Sequence, residues 1–170
     1  MRFPKNCAIE KCVSPESRAY GTTYVAFDAD AQSLVATDGC GMVVLPVDAG
    51  ASDVDGLIPP EAINAARKAA VGRNGDAILA VNGDVKLQDG RTWPKGAATF
   101  PDWRSVHPKE APVFKVTLNV TLLARLCAAL GVHCATLEVG APGAPIHVIP
   151  VAVNGERAMP GSRALLMPMG

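Results

Sequence analysis

One succession of elements occurs twice along this chain, and it limits the architectures open to it. Leu57-Ile58 reads as a short strand, and Pro59-Pro60-Glu61 sets prolines and an acid at the start of a helix that runs on to about Gly72. Residues 77–81 and 85–88 flank Asn82-Gly83, a two-residue turn that wants positive φ, so they predict a hairpin, with a further short strand at 97–100. The order then recurs. Residues 113–118 alternate as a strand, Asn119 is an N-cap, 120–130 is helical with Gly131 as its stop, and strands follow at 135–139, at 146–149 and from 164. A strand–helix–three-strand unit buries its apolar face only against a neighbour, so the repeat predicts an α+β fold with antiparallel sheets. The expected organisation is a partial module at 1–50, a complete module at 51–110 that joins it as one domain, and a second complete module, half a domain, at 111–170. In the partial module, strands are expected at 23–27, 34–37 and 42–45, with residues 5–13 as the end of a helix and no opening strand.

The remaining composition excludes more than it selects. Sixteen basic residues balance sixteen acidic ones, so no net charge demands a nucleic acid or a membrane surface, and any DNA contact must come from a local patch. The five cysteines show no Cys-x-x-Cys pair and no matching histidine spacing, and read as small buried apolar residues in a reducing compartment. His107, His133 and His147 stand in separate segments without a partnering carboxylate pattern, and no phosphate-cradling glycine loop joins a strand to a helix. No enzyme, cofactor or metal site is therefore expected, and the lack of an apolar leader or spanning segment predicts a cytoplasmic protein without membrane partners. The tail Leu165-Leu166-Met167-Pro168-Met169 is apolar where termini are usually polar. Pro168 cannot donate to a central ladder, so the tail is expected at a sheet edge with its side chains facing a groove.

Four strings, LVATDGCGM at 34–42, ATFPDWRSVHP at 98–108, TLNVTL at 117–122 and the terminal LLMPMG, resemble in order and spacing the bacterial sliding clamp, the beta subunit of the replicative DNA polymerase. The resemblance implies a DNA-clamp-like fold in which paired modules close a ring, helices line a DNA hole, and partners insert short linear peptides into a hydrophobic groove. Carried over by position, the groove wall falls on Thr37, Gly39, Cys40, Gly41 and Met42, on Pro101 and Val106, on Asn119 and Leu122, and on Leu165, Leu166, Met167, Pro168 and Met169, with Tyr20 and Trp103 at its border. Arg67, Lys68, Arg73 and Arg125 would face DNA. The implied partners are DNA polymerase or other replication and repair proteins, and double-stranded DNA inside a homo-oligomer. A second reading is a clamp-derived adaptor or decoy that binds peptides without encircling DNA. Three departures accompany the resemblance: Cys40-Gly41 and, after the FPDW string, Ser105 take the place of basic or bulky residues, a whole module is missing after Pro108, and the N-terminal module is short of its opening strand and much of its helix.

Overall fold

The chain opens on a strand, β1 (Arg2–Pro4), which the sequence did not announce, and the helix remnant expected after it is a single 3-10 turn at Ile9–Cys12. Three residues are too short for periodicity to register. The computed structural model describes residues 1–16, 20–72, 75–106, 115–141, 143–152, 162 and 164–168. They fall into two units, Met1–His107 and Pro108–Gly170.

In the first unit β2 (Val25–Asp28), β3 (Ser33–Thr37) and β4 (Met42–Pro46) form a meander, followed by β5 (Gly56–Ile58), α1 (Pro60–Ala69), β6 (Asp76–Asn82), β7 (Asp84–Leu87) and β8 (Thr92–Trp93). They make two antiparallel sheets, ordered β1-β6-β7-β8 and β4-β3-β2-β5. The two halves exchange their opening strands: β1 leaves the first half to pair with β6, and β5 leaves the second half to pair with β2. Phe3, Val25, Phe27, Leu34, Ile58, Ile63, Leu79, Val81 and Val85 meet in one core between these elements. The helix contributes Ala62, Ile63 and Ala66, one stripe at i, i+1 and i+4, all essentially buried.

Two details correct the sequence expectations. The hairpin pairs Val81 with Val85 and Leu79 with Leu87, one residue out of register with a two-residue turn, and Gly83 sits at its tip with φ 77°. A one-residue slip would turn the buried pair of one strand away from that of the other, so burial sets the register and Gly83 supplies the backbone freedom it requires. The third strand of this module is β8 rather than 97–100. Residues 96–100 instead turn back across the second sheet, tied by Gly96 N–H to Leu57 O and by Gly21 N–H to Thr99 O, both at 2.9 Å. A Cβ on Gly96 would lie 3.0 Å from the Tyr24 ring, which is why this close crossing takes glycine.

The second unit contains α2 (Val120–Ala129), β9 (Cys134–Glu138), β10 (Ile146–Val151) and β11 (Ala164–Leu166), with the strands ordered β11-β10-β9. Ile146, Val148 and Leu166 are its buried core, packed on by Leu118, Leu122, Leu123, Leu126, Ala135 and Leu137. The strand expected at 113–118 is not formed over 115–118, because alternation supplies two faces but a strand also needs a ladder partner, and none stands beside these residues among those described. Residues 113 and 114 lie outside the described residues.

Candidate functional site

The TDG string forms a tight loop between β3 and β4. The Asp38 carboxylate accepts the N–H groups of Cys40 and Gly41, each at 2.8 Å, and Gly39 takes φ 91°. The Thr37 hydroxyl accepts from Gly39 N–H at 3.1 Å and donates to Gly41 O at 2.7 Å. Threonine and aspartate thus supply the bonds that a short loop cannot make with its own backbone, and they fix its shape.

Facing that loop is the strap that crosses the second sheet, ending in a 3-10 turn at Trp103–Val106. Its apolar side chains Phe100 and Trp103 pack with Tyr24, Met42 and Val44 on Ala26, Val35 and Leu57, a small apolar cluster apart from the main core. One carboxylate anchors it: Asp28 accepts from the Trp103 indole N–H at 3.0 Å and pairs with the Arg104 guanidinium at 2.7 Å. Burial pushes the Asp28 carboxyl upward, but the Ala31 N–H, the indole and Arg104 together outweigh it and hold it below the usual carboxylate range. Arg104 also stands over the Trp103 ring, 5.1 Å from its centroid.

Between loop and strap lies a cleft of about 510 Å³. Seven candidates from two separate strings, Thr37, Gly39, Cys40, Gly41, Met42, Pro101 and Val106, line it together, with Tyr20 and Trp103. The sequence patterns did not single out Thr22 or Phe100, which also line it. Thr22 lies in none of the four strings, and Phe100, although it opens FPDW, gives no sign in the sequence of facing the cleft.

The other candidates belong to the second unit. The Asn119 carboxamide accepts from Leu122 N–H at 3.0 Å, an N-cap worth about 1 kcal/mol. Leu122 packs into the unit's core, and Leu166 is fully buried there. Leu166 is therefore a core residue and presents no side chain to a ligand. Strand alternation turns its neighbours the other way: Leu165 is 56% and Met167 59% exposed, while Pro168 is half-buried. Met169 lies outside the described residues.

Of the cationic candidates, Arg67 is engaged within the first unit. Its guanidinium pairs with Glu10, and its Nε donates to Lys5 O at 2.7 Å. It is thus a tether between α1 and the N-terminal segment rather than an open cation. Lys68 and Arg125 are exposed, and Arg73 lies outside the described residues. Among the described residues no group of three or more His, Cys, Asp or Glu side chains is placed to hold a metal, and no helix is long and apolar enough to cross a membrane.

No family model matches the chain, and no curated protein matches it by sequence. Solved structures do. The chain superimposes on the pol III beta of Caulobacter crescentus with a TM-score of 0.62 at 20% identity, covering 99% of this chain and 50% of that one. The beta subunit from the DNA polymerase of Streptococcus pyogenes gives 0.63 at 12% identity, over 100% of this chain and 50% of that one. The Helicobacter pylori beta clamp, solved bound to a DNA ligase peptide, gives 0.60 at 15%, over 99% and 49%. The chain has the α+β fold of bacterial sliding clamps and spans about half the length of the clamps it matches.

Proposed function

We propose that this protein is a non-enzymatic, clamp-like platform that captures short linear peptides of replication or repair proteins in the loop-and-strap cleft, and that it works as a homo-oligomer. One observation carries the reading: the two clamp-like strings at 34–42 and 98–108, far apart in sequence, line one apolar-walled cleft in the first unit. A peptide bringing leucine, phenylalanine or methionine anchors suits Met42, Val106, Phe100 and Trp103, since a thioether adapts to unlike side chains and the aromatics give rigid area. Leu165 and Met167, exposed on the second unit, are proposed as a separate apolar contact for such peptides. The fold similarity to a clamp crystallised with a ligase peptide supports the choice of ligand class.

The test is fluorescence anisotropy with a labelled clamp-binding peptide. Affinity on the order of micromolar is expected, because ordering a peptide offsets much of what two or three buried anchors contribute. Met42→Asp and Met167→Asp should each weaken binding by about tenfold or more, the value of one buried methionine contact. Unchanged binding in Met42→Asp refutes the cleft.

The alternative, a peptide-binding adaptor that does not encircle DNA, is favoured by the engagement of Arg67 with Glu10 and Lys5, which removes one cation from a thin set. Retention on circular but not linear DNA distinguishes the two, since only an encircling protein slides off an end.

A further inference from the structure

The second unit is built like one half of the first, but its side chains are less covered. Leu122, Leu123 and Leu126 of α2 repeat the stripe of Ala62, Ile63 and Ala66 in α1, and Ala135, Leu137 and Val139 repeat Ala77, Leu79 and Val81. In α1 all three stripe residues are buried, whereas α2 has no buried residue. Val81 is fully buried, whereas Val139 is 39% exposed. Val116 and Val120, which flank Asn119, are 39% and 73% exposed.

Backbone pairing has the same gap. In the first unit the strand that follows each helix or turn takes the other half's opening strand on its free edge: β6 takes β1, and β2 takes β5. In the second unit β9 pairs only with β10, among the described residues. The chain segment that stands before α2 as β5 stands before α1 is 115–118, and it joins no strand among those described. Among the described residues one unit therefore holds both an unpaired sheet edge and an opening segment without a strand partner, although Leu118 at its end packs on the unit's core, and this is what self-complementary pairing about a two-fold axis requires.

We propose that two copies of this chain pair through their second units, each laying its 115–118 segment antiparallel along the partner's β9. Register follows from the first unit, where inward Phe3 faces inward Ala77. Leu118 then faces the partner's Ala135, Val116 faces the partner's Leu137, and Lys115 faces the partner's Glu138. The only charges on the two segments thus fall opposite one another with opposite sign, on the outer face, twice per dimer. That match favours a second copy over an unrelated strand. The proposal deepens the oligomer part of the function above, gives it an interface, and does not depend on the cleft.

Light scattering of the full chain across micromolar concentrations tests it. The expected result is a species of twice the chain mass. Lys115→Glu or Glu138→Lys alone should weaken pairing on the order of tenfold, since each places like charges opposite one another at two sites. The double variant Lys115→Glu/Glu138→Lys should regain the native affinity, which also shows that the single variants were folded. A monomeric native chain overturns the proposal, as does a dimer indifferent to both single changes or a double variant that stays dissociated. Peptide anisotropy on the same samples separates the two readings. A monomer that binds peptide refutes only the pairing, and a dimer that does not bind refutes only the platform.

Discussion

Asp53→Ala should lower the stability of the first unit by about 3–5 kcal/mol, the usual cost of removing one partner from a buried ion pair. The Asp53 carboxylate accepts from the Met1 α-ammonium at 2.6 Å, from Gly50 N–H at 2.8 Å and from Val81 N–H at 2.9 Å. Both ends of the pair are essentially out of water, at 0% and 2% exposure. The substitution therefore strands an ammonium and two N–H groups at once. Trp93 and Trp103 both lie in the first unit, so urea melts followed by tryptophan fluorescence report on it directly. The pH dependence has a defined sign. Burial works to raise the Asp53 pKa, but the bonds from the N-terminal amine, Val81 and Gly50 prevail and hold it below the ordinary value. Its stabilisation is thus complete above the unfolded-state pKa of about 4 and is lost as pH falls through the folded value. The native protein should weaken on acidification below about pH 4, and the variant should weaken less steeply. Equal slopes would show that Asp53 does not carry this linkage.

Leu166→Ala should cost the second unit about 2–5 kcal/mol, while Leu165→Ala, one residue away, should change stability by less than about 0.5 kcal/mol. Leu166 is fully buried against Ile146 and Val148, and truncating it leaves a cavity in a core of few residues. Leu165 stands opposite His147 on the outer face of the sheet and is 56% exposed. The second unit holds no tryptophan, so hydrogen exchange of the β9 and β10 amides is the suitable readout. Peptide affinity should move the other way: Leu165→Ala should weaken capture without loosening the unit. Equal protection in the two variants would contradict the assigned facing of β11.

What could be read from residues alone divides along physical lines. The helix at 60–69 was legible because proline and acid begin it and apolar spacing sustains it, and the second helix because Asn119 is a strong cap. β1 was not, since a three-residue strand is made by its partner β6 and not by its own pattern. Residues 97–100 of the strap read as a strand because apolar residues that cover a sheet face look locally like residues within one. In the cleft, Thr37, Met42, Pro101 and Val106 were found through motif strings, while the Asp28 anchor of Trp103 and Arg104 was invisible, as it joins residues 75 and 76 positions apart. Arg67 was read as a DNA-facing cation because a helix pattern does not disclose that Glu10 reaches it. Leu165 and Leu166 could be separated only once the register of β11 against β10 was known.

The exchange of opening strands has a consequence for how the protein is made. β1 leaves the ribosome about 75 residues ahead of its hydrogen-bonding partner β6. The first fifty residues therefore have no complete sheet to settle into during synthesis, and both halves must close together late. Loop-closure entropy makes such distant pairing slow, which leaves the nascent segment in need of shelter for longer than a locally wired domain of equal size.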